Sequence, residues 1–145
     1  MEAEKEVFEL CDKVRESSFA LHCYLRHGHL EKVYENGLAN RLRKGGVRVE
    51  QQYALEVLDQ DGTVLGAYVA DLFVERRLIV ELKACRNVCD EHVAQLLGYL
   101  RGSRVQHGLL INFGAPTFRE GVKRIVNNHT ALASSRLRVN RPPQP

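Results

Sequence analysis

Leu78-Ile79-Val80-Glu81-Leu82-Lys83 is the stretch on which the fold turns. It is apolar on both alternating faces, the pattern of a central strand covered on two sides. Glu81 and Lys83 interrupt it. Side chains alternate along a strand, so these two charges project to one face, with Val80 and Leu82 on the other. A carboxylate in such a strand is unfavourable unless it is paired or binds a metal. Two explanations therefore stand open: a structural Glu-Lys ion pair, and a site.

On the N-terminal side, a strand from about Thr63 to Val74 precedes the central one, and Glu75-Arg76-Arg77 could turn the chain between them. If the two strands pair as a hairpin, Asp71 reaches the same end of the sheet as Glu81. Two carboxylates and an ammonium then converge. Carboxylate oxygens suit a hard divalent cation, magnesium or manganese (Mg2+ or Mn2+), which keeps waters and a substrate phosphate in its other positions. Such an ion would activate water and neutralise phosphate charge while Lys83 positions the nucleophile or stabilises the developing oxyanion.

The remaining elements follow from periodicity. Val7, Cys11, Val14, Ser18, Leu21 and Leu25 recur at spacings of three and four, which predicts a helix from about Glu4 to Arg26, ended by His27-Gly28. A second helix is expected from His29 to Lys44, with Glu31 in its first turn and Gly45-Gly46 as its stop. Val47, Val49, Tyr53, Leu55 and Val57 alternate as a half-buried strand to Leu58, and Asp61-Gly62 turns the chain back. Beyond the central strand, Glu91 to Leu100 has helical periodicity, Gly108 to Phe113 is a further buried strand, and Thr117 to Asn127 is expected to form a last helix.

The chain has 145 residues, of which 44% are hydrophobic, enough for one α/β or α+β domain. We assign residues 1–133 to it and 134–145 to a loosely held tail rich in Arg and Pro. No signal peptide and no run of roughly 20 apolar residues is seen, so a cytoplasmic protein without membrane contact is expected. Cys11, Cys23, Cys85 and Cys89 should then be reduced and act as small buried hydrophobes. Cys85, Cys89 and His92 have a spacing that zinc could use, but no fourth ligand is evident. The net charge is only +3, yet from Arg101 onward eight basic residues face one acid, Glu120. Arg41, Arg43, Lys44 and Arg48 form a second basic cluster. Such patches can neutralise phosphates, and many are only solvated surface.

Asp71, then Glu81-Leu82-Lys83, then a helix: in this order and spacing the chain resembles the PD-(D/E)XK nuclease superfamily. Gly28-His29-Leu30-Glu31-Lys32-Val33-Tyr34 is similar to the signature of the GxxExxY protein family, a mostly bacterial branch of nuclease-like proteins. The similarity extends through Glu50-Gln51-Gln52, His92 to Tyr99 and Leu109 to Gly114. The resemblance implies a restriction-endonuclease-like α+β sandwich whose mixed sheet of four or five strands is flanked by helices. It implies metal ligation by Glu31, Asp71 and Glu81, and catalytic roles for Asp71, Glu81 and Lys83. Gln95 and Tyr99 match the Gln-xxx-Tyr motif of RecB-like members and lie on one helical face. Gln52 and His92 also match, and could orient an acid or line the groove, whereas Tyr34 is expected to be a packing residue. The implied activity is metal-dependent phosphodiester hydrolysis, with nucleic acid, DNA by preference, as partner and a homodimer as the expected assembly. A noncatalytic nucleic-acid-binding or protein-interaction module on the same fold is the alternative.

Overall fold

The computed structural model describes residues 1–87 and 90–128. Helix α1 spans Glu2–Leu25 and buries Val7, Leu10, Cys11, Val14, Ser18 and Leu21, the expected stripe. Ser18 satisfies its own hydroxyl by donating to the Val14 carbonyl at 2.7 Å. Helix α2 spans Glu31–Lys44 and ends at Gly45-Gly46, where Gly46 takes a φ of 82° that a side chain would resist. Strands β1 (Val49–Leu58), β2 (Val64–Val74) and β3 (Leu78–Lys83) follow, then helix α3 (Asp90–Ser103) and strand β4 (His107–Asn112).

The last expected helix is not one. Arg119–Gly121 forms a single 3₁₀ turn, and Val122–Val126 is a strand, β5, antiparallel to β4. Val122, Ile125 and Val126 are β-branched, and the open edge of β4 offered a ladder that a short, isolated helix could not match.

The five strands form one mixed sheet in the order β1-β2-β3-β4-β5. β1, β2 and β3 form antiparallel hairpins, whereas β3 and β4 run parallel, joined by the crossover through α3. β3 thus lies at the centre, and β4 is buried along its whole length. Helices α1 and α2 cover one face, packing Leu21, Tyr34, Leu38 and Leu42 on Leu78, Val80 and Leu82. Helix α3 covers the other with Leu96 and Leu100 against Ile79 and Leu110. This α+β architecture is the one the resemblance implied.

The alternation in β1 hides a change of face. Val47 and Val49 pack on the α1–α2 side, but Tyr53, Leu55 and Val57 pack on the α3 side. Gln52, between them, has a φ of 49°, and this left-handed step rotates the strand. The cysteine expectation also needs correcting: Cys11 is buried, but Cys23 is exposed and Cys85 half-buried, because Cys23 falls outside the α1 stripe. Cys89 and the 134–145 tail lie outside the described residues.

Two junctions fix the end of β3. Phe113 N–H donates to the Lys83 carbonyl at 2.8 Å, and Asn112 Oδ1 accepts from Cys85 N–H at 3.1 Å and Gly114 N–H at 3.0 Å. A Cβ on Gly114 would press into the Cys85 backbone, closer than real Cβ contacts come. Gly114→Ala should therefore lower stability by at least about 2 kcal/mol in urea unfolding, while Gly66→Ala, where a Cβ meets open space, should change it by less than about 0.5 kcal/mol. Equal effects at the two positions would contradict this packing.

Candidate active site

The hairpin of β2 and β3 turns at Glu75 and Arg76, both left-handed at φ of 50° and 53°. Its register pairs Val74 with Leu78, Phe73 with Ile79 and Leu72 with Val80, and there the pairing stops. The next residues in register are Asp71 and Glu81. Each takes over a hydrogen bond of the interrupted ladder: Leu82 N–H donates to Asp71 Oδ2 at 2.8 Å, and Asp71 N–H donates to Glu81 Oε1 at 3.3 Å. The strands diverge and the two carboxylates fill the fork, satisfying amides that burial would otherwise leave unpaired.

Around this fork the structure gathers residues that the sequence did not single out. The Tyr68 hydroxyl on β2 donates to Glu81 Oε1, and its ring stacks on Tyr99 of α3 with centroids 3.6 Å apart. On the other side Glu35 of α2 is only 4% exposed, yet three donors hold it. Gln51 Nε2 and Gln52 Nε2 donate to its two oxygens at 2.7 Å each, and Lys32 Nζ lies 2.9 Å away. Gln52 Nε2 also reaches Asp71 Oδ1 at 3.3 Å, so one amide bridges the buried acid of the helix and the acid of the sheet. The left-handed backbone of Gln52 aims that amide. Glu35 was legible in principle: it is one turn from Glu31 on the same helical face. Tyr68 was not, because nothing local distinguishes it from other strand tyrosines.

The other expected residues are placed as follows. Glu31 is exposed and makes no hydrogen bond among the described residues, but its charge acts on Glu81. Lys83 is half-buried, and among the described residues no ion pair within 4 Å joins it to Glu81. Its ammonium still lowers the pKa of both acids. Gln95 is exposed on α3, one turn from Tyr99. His92 is partly buried, and its Nδ1 lacks a hydrogen-bond partner among the described residues. Tyr34 packs as expected: it is 1% exposed, stacks on Phe113 at 4.4 Å, and donates to the Arg26 carbonyl at 2.5 Å. Several basic residues are engaged within the chain, Arg48 and Arg76 with Glu50 and Arg77 with Glu6.

Burial raises the pKa of both fork carboxyls. For Asp71 it outweighs the Leu82 and Gln52 hydrogen bonds, and the Glu35 charge adds to it. For Glu81 burial, reinforced by Glu31 and Glu35, overcomes the Asp71 amide and Lys83 and pushes the pKa to about 7. Repelling, desolvated carboxylates are stabilised by a cation. Among the described residues no group of three His, Cys, Asp or Glu side chains could hold a metal ion. The pair Asp71–Glu81 still fits a hard divalent ion, since magnesium keeps most of its waters and takes one or two carboxylates. No hydrogen bond is made to Glu81 Oε2 among the described residues, which leaves that oxygen for a ligand.

With this geometry the relationship of the chain can be stated. A family model described as the PD-(D/E)XK nuclease superfamily matches residues 8–125, and the chain belongs to that superfamily. No match is found among the curated proteins or the solved structures. Among the described residues no helix is long and apolar enough to cross a membrane.

The sign of the Glu81 shift gives a test. An acid that titrates near 7 when folded and near 4.5 when unfolded binds more protons in the folded state between those values. Stability therefore falls as pH rises through that window, by at most about 3 kcal/mol. His22 and His107, whose pKa values are lowered by burial, act in the opposite direction as pH falls below 6.5. In EDTA the native chain should lose thermal stability relative to Glu81→Gln between about pH 5 and pH 8. Parallel melting curves for the two across that range would refute the shift.

Proposed function

We propose that the chain is a divalent-metal-dependent nuclease of the GxxExxY branch that hydrolyses phosphodiester bonds of nucleic acid, DNA by preference. The observation that carries this reading is the fork: two desolvated carboxylates from adjacent strands, with Lys83 on the same strand face as Glu81. Asp71 and Glu81 would hold magnesium or manganese, with the exposed Glu31 adding negative charge nearby rather than a third ligand. When bound, the ion supplies positive charge at the scissile phosphate and an acidified water.

The rest is the work of the chain's own residues. Lys83, without an ion-pair partner among the described residues, is available to orient the attacking water and to stabilise charge on the phosphate oxygens. Tyr68 orients Glu81 through its hydroxyl, and Tyr99 holds Tyr68 by stacking. Gln52 orients Asp71, and the buried Glu35 in turn orients Gln52. Gln95, exposed one turn from Tyr99, would contact the substrate backbone, and a second copy of the chain would grip the second strand of a duplex. Gly28 at a φ of 102° and the Tyr34 bond to Arg26 give physical roles to two positions of the GxxExxY signature.

Labelled single- and double-stranded DNA and RNA, incubated with magnesium, manganese or EDTA, test the proposal. Cleavage should require metal and fall by at least roughly 100-fold in Asp71→Ala, Glu81→Ala and Lys83→Ala. Cleavage in EDTA, or equal rates in the variants, would identify a contaminant. No cleavage, together with no metal binding by the native chain, would leave the noncatalytic module.

A further inference from the structure

At the end of α1, remote in sequence from the fork, the rings of His22 and His27 meet edge-on at 60° with their Nε2 atoms 3.2 Å apart, a hydrogen bond whose proton an ion would replace. That separation is close to the span of two ligands on a tetrahedral ion with bonds of about 2.0–2.1 Å. We propose that His22 and His27 form a binding site for a transition-metal cation of the zinc class, independent of the acidic site and of the nuclease reading.

The arrangement is built rather than incidental. Arg26 lies between the two rings in sequence and has φ 60° and ψ −159°, a region of the backbone map used almost only by glycine. Three contacts hold it there. Arg26 N–H donates to the His22 carbonyl at 2.8 Å, the Tyr34 hydroxyl donates to the Arg26 carbonyl at 2.5 Å, and His29 Nε2 contacts the Leu25 carbonyl at 3.1 Å. The left-handed Gly28 then carries the chain towards α2. The effect of this strained reversal is to bring His27 back over the last turn of α1. His22 has contacts of its own, its ring stacked 6.4 Å from Phe113 and tilted at 48° against Phe118 at 5.8 Å. His22 is therefore oriented before any ion arrives, and the backbone reversal brings His27 to it, which lowers the ordering cost of binding.

The chemistry of the pair selects the ligand. Two imidazole nitrogens suit zinc, nickel or copper and do not suit magnesium or calcium, which prefer oxygen. His29 faces the Leu25 carbonyl and the Tyr34 ring, so it is not a third ligand. Water or an external anion completes the shell. An ion there would clip the end of α1 to the loop that leads into α2 and Glu31.

Zinc titrated into the untagged chain at about pH 7.5, where a histidine of ordinary pKa is neutral, tests this by calorimetry and by imidazole NMR. Saturable shifts of the His22 and His27 rings are expected, with the affinity falling roughly tenfold or more in both His22→Gln and His27→Gln. Magnesium should leave both rings unchanged, and Glu81→Gln should retain the zinc response. His27 is exposed, so His27→Gln keeps the test valid even if loss of the packed His22 ring disturbs the fold. An affinity unchanged by His27→Gln, a zinc response lost in Glu81→Gln, or no shift of either ring at millimolar zinc would each overturn the proposal.

Discussion

The early end of the ladder between β2 and β3 is the constraint on which the site depends. Strands that twist cannot stay paired indefinitely without support from above and below, and here they part after Leu72 and Val80. Parting exposes amides in a region already closed off by α2 and α3. An apolar pair in register at this point would leave those amides unsatisfied, whereas the two carboxylates accept them. Asp71 and Glu81 therefore stabilise the opening that they occupy. The same two residues are the acids of the candidate site, so the opening of the ladder and the proposed chemistry share one pair of side chains.

The surroundings then tune the pair. The nearby groups act in three ways: Glu31 and Glu35 repel, Tyr68 and Gln52 donate, and Lys83 supplies the opposing charge. A glutamate as buried as Glu35 is tolerated because two glutamines and a lysine satisfy it. Its field still reaches the fork. The result is a cluster of negative charge in which desolvation favours proton uptake at Glu81 and Asp71.

Much of this was legible in the chain before it was folded. The both-faced apolarity of Leu78–Lys83 marked the centre of the sheet, the spacing of Val7 to Leu21 marked α1, and a hairpin before Glu81 put Asp71 beside it, because strand and helix periods leave direct traces in residue spacing. The C-terminal end misled. Thr117 to Asn127 has both helical and strand character, and only the free edge of β4 made it a strand. The face change in β1 was equally hidden, since an alternating pattern continues unbroken through Gln52 while the backbone rotates beneath it.

Sequence by itself determined the elements up to β4, the central strand and the glutamate on it, because these follow from local periodicity and from the rarity of charge in a buried strand. Tertiary structure alone decided that the ladder stops at Leu72 and Val80, that Tyr68 and Glu35 join the fork from opposite faces, and that Gln52 links helix to sheet. Those facts depend on the distance between strands and on which helix covers which face. No local pattern carries that information, since such distances are set only when the whole sheet is packed.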